Sequence, residues 1–353
     1  MKRISIVLGL LILCSSIFAQ PKPITQAEYV KMLYAAERNE EAKADLIDAI
    51  RTRGIGFIVT DGLRNLTRTK SGNNAELRRL LDESDRRRQD PQSYQRPSTT
   101  EAAAAIKQAR ELTLAAVEEM PDFVVKQQIQ RAIAYAGTGT YTNLDRLIVG
   151  VSYRASGQEE YRVLSVNGAI QNNPESKRSY EEVGGTSSTG EFVTVLATMF
   201  KPESATAFEV VDSDVIRGRK AITYDFFVEK EKAKQGITCK GLTEESTTTG
   251  MKGRIWIDRE NFRVLRVESE ATDIPATFPC PSARRNIDYD WTTISEERFL
   301  LPLLSDVRLT HRDKGRTFET RNVIRFRDYQ KYGTEVKVLE EDDVPIEEEK
   351  PAN

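Results

Sequence analysis

The chain has 353 residues, 39% of them hydrophobic and 30% charged, with 52 basic and 54 acidic side chains that balance to a net charge of −2. That length predicts two domains, with three as the upper reading, and the near-neutral balance excludes the basic footprint of a nucleic-acid binder. Once the expected leader with Cys14 is removed, two cysteines and the single His311 supply too few ligands for the usual structural zinc sites, so no metal and no cofactor is expected.

Lys2 and Arg3 give the chain a short positive start. Ile4 to Leu13 is apolar apart from Ser5 and Gly9, and small and polar residues lead on to Ala19-Gln20. This is the three-part pattern of a secretory signal peptide, and its apolar run is too short for a membrane span of about 20 residues. Residues 1–19 are therefore read as the signal, with cleavage after Ala19 and a mature chain that is periplasmic or extracellular. The rival reading is a lipoprotein signal cut before Cys14, the one route by which this sequence predicts membrane association. Leu13 fits it poorly, because a small residue is wanted just before the cysteine. After cleavage only Cys239 and Cys280 remain. An even pair in an oxidising compartment most simply forms one disulfide, with two free buried thiols as the alternative.

Residues 20–88 predict a small helical domain. Thr25 caps a helix whose capping box is closed by Glu28, and Tyr29, Leu33 and Ala36 recur on one face. A second helix, near Ala42 to Arg53, presents Leu46, Ile47 and Ile50 until Gly54-Ile55-Gly56-Phe57 breaks it. Thr60-Asp61 opens a third around Leu63 and Leu66, and Asn73 or Asn74 caps a fourth through Leu77, Leu80 and Leu81. The charged end of that helix, Asp82 to Arg88, carries a basic run that invites a nucleic-acid reading, but acidic residues are interleaved with the arginines and the bland reading is preferred. Pro91 and Pro97 mark residues 89–99 as a linker. Residues 100–120 hold a connecting helix, Thr100 to Glu119, with Ala105, Ala109, Leu112 and Ala116 in one stripe and Pro121 after it. Phe123 to Tyr135 fits a strand or a short helix equally.

From Leu147 onward the apolar period becomes two. Strands are expected at Leu147 to Tyr153 and Tyr161 to Val166, the latter closed by the hairpin signal Asn167-Gly168. Further strands are Phe208 to Ile216, Ala221 to Val228, Gly253 to Ile257, Phe262 to Glu268, Ile287 to Trp291, Phe299 to Leu304, Asp306 to His311 and Thr317 to Tyr329. One amphipathic helix, Gly190 to Phe200, interrupts them, capped by Ser188 or Thr189. Residues 121–338 thus form one β domain, and the acidic block from Glu340 to Glu349 predicts a disordered tail over 339–353. The fold class is α+β: a helical unit, a linker and long helix, then a curled antiparallel sheet with an inserted amphipathic helix.

An antiparallel sheet of that size must hide its apolar face. Ile255 and Ile257 share one strand face, as do Leu265 and Val267, Tyr289 and Trp291, and Ile324 and Phe326. The inserted helix offers Phe192, Val195, Leu196 and Met199. Together these are the expected lining of a concave apolar interior, a common setting for a ligand; the competing reading is a solid core.

The stretch Gly253-Arg-Ile-Trp-Ile-Asp258 followed by Phe262-Arg-Val-Leu-Arg-Val267 resembles the hairpin of the LolA-like half-barrel. That resemblance implies a fold that carries lipoproteins or lipids in the periplasm. Leu164-Ser-Val-Asn-Gly168, Ser188-Thr-Gly-Glu-Phe192, Asp273-Ile-Pro-Ala-Thr-Phe-Pro279, Ile287-Asp-Tyr-Asp290, Leu300-Leu-Pro-Leu303 and Arg321-Asn-Val-Ile-Arg-Phe326 are similar to an uncharacterised family of secreted bacterial proteins with such a domain. The resemblance covers about residues 120 to 335 and implies no assigned activity. Arg53-Gly-Ile-Gly-Phe57, between two helices, resembles a short module of other exported or signalling bacterial proteins.

Catalytic signatures are missing from the sequence. His311 stands mid-strand in Leu309-Thr-His-Arg-Asp, and neither a Gly-x-Ser-x-Gly elbow nor a His-Glu-x-x-His helix occurs. Gly184 to Gly190 is rich in glycine and hydroxyls ahead of a helix, where amides can hold an anion, but an entry loop over the sheet is the commoner use of such a segment. The expected function is therefore non-enzymatic binding of a lipid, lipoprotein or other apolar ligand in the half-barrel. The alternative is an interaction or scaffold protein with a filled core that docks a protein partner through residues 20–95. A carboxylate-based hydrolase is the outsider.

Overall fold

Four short helices occupy the first part of the computed structural model, which describes residues 22–171, 186–187, 190–192, 194–233, 235–240, 244–333 and 346. The chain divides into one unit ending at Gln89 and a second starting at Asp90. In the first, α1 (Gln26–Ala36), α2 (Glu40–Arg53), α3 (Asp61–Lys70) and α4 (Ala75–Gln89) each begin where a side chain accepts from free backbone amides. Thr25, Asn39 and Thr60 cap the first three, and Asn74 Oδ1 accepts from the Leu77 N–H at 2.8 Å, each cap being worth about 1 kcal/mol. The capping box expected at α1 does not close, because the Glu28 carboxylate is taken by the Arg53 guanidinium at 2.6 and 2.9 Å. Tyr29, Leu33, Leu46, Ile50, Leu77 and Leu81 form the buried core. Gly54, at φ +66°, ends α2 and lets Ile24 bridge Ile55 in parallel.

The second unit opens with α5 (Thr99–Glu118), capped by Ser98. Twelve strands follow: β1 (Phe123–Tyr135), β2 (Thr142–Tyr153), β3 (Glu159–Val166), β4 (Ala169–Ile170), then α6 (Thr194–Phe200), then β5 (Ala207–Ile216), β6 (Arg219–Val228), β7 (Gln235–Lys240), β8 (Glu244–Asp258), β9 (Val264–Thr272), β10 (Ser282–Ile294), β11 (Glu297–Asp313) and β12 (Arg316–Lys331). The spatial order is β4-β3-β2-β1-β12-β11-β10-β9-β8-β6-β5, with β7 paired to β8 off this path. Every ladder is antiparallel, and β4 and β5 stand at opposite ends, so the sheet is curled and open rather than a closed barrel.

Tight turns set the registers. Asn167-Gly168, Arg217-Gly218 and Lys314-Gly315 all carry positive φ at both positions, the mirror-image turn that matches strand twist. Residues 123–135, ambiguous in sequence, pair on both sides as β1. The strand expected to start at Gly253 begins at Glu244 and pairs there with β7. The inserted helix is shorter than Gly190 to Phe200, and its expected caps, Ser188 and Thr189, lie outside the described residues. The signal segment and the acidic tail also lie outside them, except Ile346, which is buried and donates its N–H to Gln130 Oε1 at 3.1 Å. Residues 90–98 are not a free tether: Gln95 O accepts from Ser213 Oγ at 2.5 Å and from Arg259 Nη1 at 3.0 Å. Cys239 and Cys280 form a disulfide with Cα atoms 6.0 Å apart, inside a small cluster with Ile237, Ala271 and Phe278.

Candidate functional site

The concave face of the sheet is covered by α5 and α6. Ala102, Ala105 and Ala109 of α5 and Val195, Leu196 and Met199 of α6 pack with Ile255, Ile257, Val267 and Tyr289 in one cluster. Phe192 packs with Ile324 and Phe326 in a neighbouring one. The alanine stripe is what allows close approach, since small side chains bring the helix down onto the strands. Polar bonds then fix its position. Tyr224 OH donates to the Ala102 carbonyl at 2.7 Å, Arg259 forks onto the Glu101 carboxylate, and Arg263 Nη1 donates to the Leu112 carbonyl at 2.6 Å.

Eleven of the twelve side chains expected to line an open interior are buried, and ten of these belong to those two clusters. Leu265 is the exception. It was expected beside Val267 but lies on the opposite face with Ile216, Ala221 and Trp256. The cause is the register shift between Trp256 and Ile257: a β-bulge reverses the alternation of side chains along β9, so Val264 and Val267 both face the helices.

The concave face is also less apolar than the sequence pattern implies. Gln127, Ser305 and Tyr289 are buried there, and the Gln127 amide, the Ser305 hydroxyl and the Tyr289 hydroxyl have no hydrogen-bond partner among the described residues. The segment Gly190–Phe192 enters beside them. Its Gly190 N–H donates to Glu159 Oε2 at 3.0 Å, and Tyr161 OH donates to the same carboxylate. Burial raises the Glu159 pKa, the two hydrogen bonds oppose this, and the nearby Glu191 adds to the rise. Burial and the same two carboxylates push the Tyr161 phenol far up. Thr186 is tied to β12 through Thr320 and Asn322. The rest of the Gly-rich loop from Gly184 is mostly outside the described residues.

The convex face carries paired charge. Arg254 bonds Asp225, Arg266 bonds Asp288, and Arg308 and Arg321 share Asp306. Asp288 belongs to this outer face, as the alternation of β10 predicts. His311 is half-buried and stacks on Phe318 with ring centroids 5.6 Å apart. Among the described residues no group of three His, Cys, Asp or Glu side chains is placed to hold a metal ion.

Two adjoining cavities open at one end of the sheet. One, of about 370 Å³, is lined by Glu119, Arg263, Trp291, Glu297, Arg298 and Phe299 among others. The other, of about 390 Å³, shares Glu297 and Phe299 and adds Asp122, Lys331 and Tyr332. Both volumes lie in the lower part of the range for small-molecule sites, roughly 300–1,000 Å³. Trp291, the one expected lining residue that is not buried, belongs here. Its ring centre is 5.9 Å from the Arg263 guanidinium carbon and 5.3 Å from that of Arg298. Sequence reasoning missed Glu119, Arg263, Glu297 and Arg298, which come from the end of α5, the start of β9 and the β10–β11 hairpin. No local spacing links them.

No family model matches the chain, and no curated protein sequence matches it. Among solved structures, a DUF1329 family protein from Desulfovibrio piger is 10% identical, with 65% of this chain and 94% of that one covered and a TM-score of 0.28. MucB in complex with MucA(peri) is 10% identical, with 62% and 93% covered and a TM-score of 0.17. The Pseudomonas aeruginosa MucA/MucB complex is 8% identical over the same shares, again with a TM-score of 0.17. Scores this low leave the fold to be read from the strand order itself.

Proposed function

We propose that this chain is an exported, non-enzymatic interaction protein whose curled sheet is a filled scaffold and whose helical unit meets a protein partner. The observation that carries the reading is the occupation of the concave face: α5 and α6 stand where an apolar guest would have to lie. Lipid carriage, the reading that a LolA-like half-barrel first suggests, would require both helices to leave. That exposes the clustered apolar side chains at about 25 cal/mol per Å² and breaks the Tyr224, Arg259 and Arg263 bonds to α5. The helical unit keeps Tyr34 and Ile58 exposed at 52% and 66%, and these are the two positions at which we place the partner contact.

Two measurements on the mature chain purified from its host without detergent test this. Native mass spectrometry is expected to give the polypeptide mass with no lipid adduct. Size-exclusion of the envelope extract is expected to show the chain in a complex that Ile58→Asp together with Tyr34→Asp returns to monomer. A stoichiometric lipid mass on the purified chain would reverse the reading in favour of a carrier.

A further inference from the structure

The rim cavity departs from the charge pattern of the rest of the sheet. Across the convex face arginines meet carboxylates at 2.6–3.0 Å. Around the 370 Å³ cavity, Arg263, Arg298, Glu119 and Glu297 line one space, and none of the four makes an ion pair with a described residue. Trp291 lies within 6 Å of both guanidinium carbons and gives them an aromatic neighbour. Arg263 is further held by its bond to the Leu112 carbonyl, so it reaches the cavity from a fixed position. Phe299, Leu300 and Met120 supply the apolar part of the wall.

A ligand with one charge would meet two groups that attract it and two that repel it. A ligand carrying both charges on a short apolar body meets all four favourably. We propose that this cavity binds a small zwitterion: an α-amino acid with an apolar side chain, or a short peptide with both termini free. Its carboxylate is taken by Arg263 and Arg298, its ammonium group by Glu119 and Glu297, and its side chain rests on Trp291 and Phe299. This does not depend on the filled-scaffold reading: Met120, Phe299 and Leu300 belong to or pack against the clusters under α5 and α6, but the cavity is present with both helices in place.

The chain carries its own reporter. It has two tryptophans, and Trp256 is 1% exposed and donates to Asp214 at 2.9 Å, so a ligand in the cavity acts on the emission of Trp291. The full mature chain is titrated with L-phenylalanine, with the dipeptide phenylalanyl-phenylalanine, and with phenylacetate and phenethylamine as the singly charged counterparts. The expected result is saturable quenching by the amino acid or the dipeptide, at least tenfold tighter than by either counterpart. Whichever of the two binds better identifies the source as free amino acid or peptide. Arg298→Gln and Glu297→Gln, both at exposed positions, are each expected to weaken binding tenfold or more with the melting temperature unchanged. Trp291→Phe is expected to abolish the quenching, while calorimetry still registers heat. No saturable response to either zwitterion, or an equal response to phenylacetate, overturns the proposal and leaves four solvated charges around a surface hollow.

Discussion

Arg284, Arg308 and Arg321 face one another directly across three neighbouring strands. Like charges so placed repel; Asp306 offsets two of them, bonding Arg308 at 3.0 Å and Arg321 at 2.8 Å, while Arg284 lies 3.9 Å from Glu270. Burial acts to raise the Asp306 pKa, but the hydrogen bonds from Arg308 and Arg321 outweigh it and hold the carboxyl below its ordinary 3.8. A lowered pKa means that the stabilisation is present above the ordinary carboxylate value and is lost as pH falls through the lower folded value. Asp306→Asn is therefore expected to cost about 2 kcal/mol near neutral pH, measured by urea unfolding, and the gap to the wild type is expected to shrink below about pH 4. Glu159 runs the other way. Its raised pKa means that stability is fully present below the ordinary 4.5 and declines as pH rises through the folded value. Glu159→Gln is expected to melt no lower than the wild type at pH 8, with an advantage that disappears by pH 4; a wild type that gains stability on going from pH 4 to pH 8 relative to this variant would contradict the assignment.

Among the elements, Gly253 of β8 is the position where the sheet tolerates nothing larger. A Cβ there would stand 1.9 Å from the Glu268 carbonyl oxygen on β9, so Gly253→Ala must push two paired strands apart. It is expected to cost about 3 kcal/mol or more. At Gly236 of β7 an added Cβ meets nothing within 4 Å, so Gly236→Ala is expected to stay within about 0.5 kcal/mol, and paired denaturation curves separate the two. Elements with a chemical signature were legible in the sequence: the caps at Thr25 and Thr60, the fourth cap as one of Asn73 and Asn74, and the turn at Asn167-Gly168. The β10–β11 turn was not, because Ser295 and Glu296 adopt positive φ without the glycine that usually announces it. Neither was β7, whose partner segment Glu244–Thr249 is built of hydroxyls and acids with no apolar alternation. The bulge that turns Leu265 away is set by pairing between strands and leaves no local trace.

For the whole molecule, the even pair Cys239 and Cys280, which the expected signal cleavage would leave, was enough to anticipate their disulfide. It closes a loop of sequence separation 41 within the second unit, which is worth about 4 kcal/mol by chain entropy. Reduction is expected to move the unfolding midpoint of the β unit downward by that order while the transition of the helical unit stays in place; circular dichroism and tryptophan emission, both tryptophans lying in the β unit, report the two separately. The filling of the concave face was beyond sequence reasoning. Alternating apolar residues specify which face is covered, but not whether a helix or a guest covers it. The alanines of α5 look the same in either case, and the rim cavity joins three segments that only the curl of the sheet brings together.

Strand order also governs how this sheet is made. β1 lies in its interior, paired on one flank with β2 and on the other with β12, with Phe123 opposite Lys331. The first strand to emerge thus carries a raw edge until nearly the last residues of the unit arrive, some two hundred positions later. Such long-range pairing is slow to form and leaves sticky surface waiting. The seam along β1 is therefore closed only when β12, among the last strands of the sheet to be delivered, docks against it.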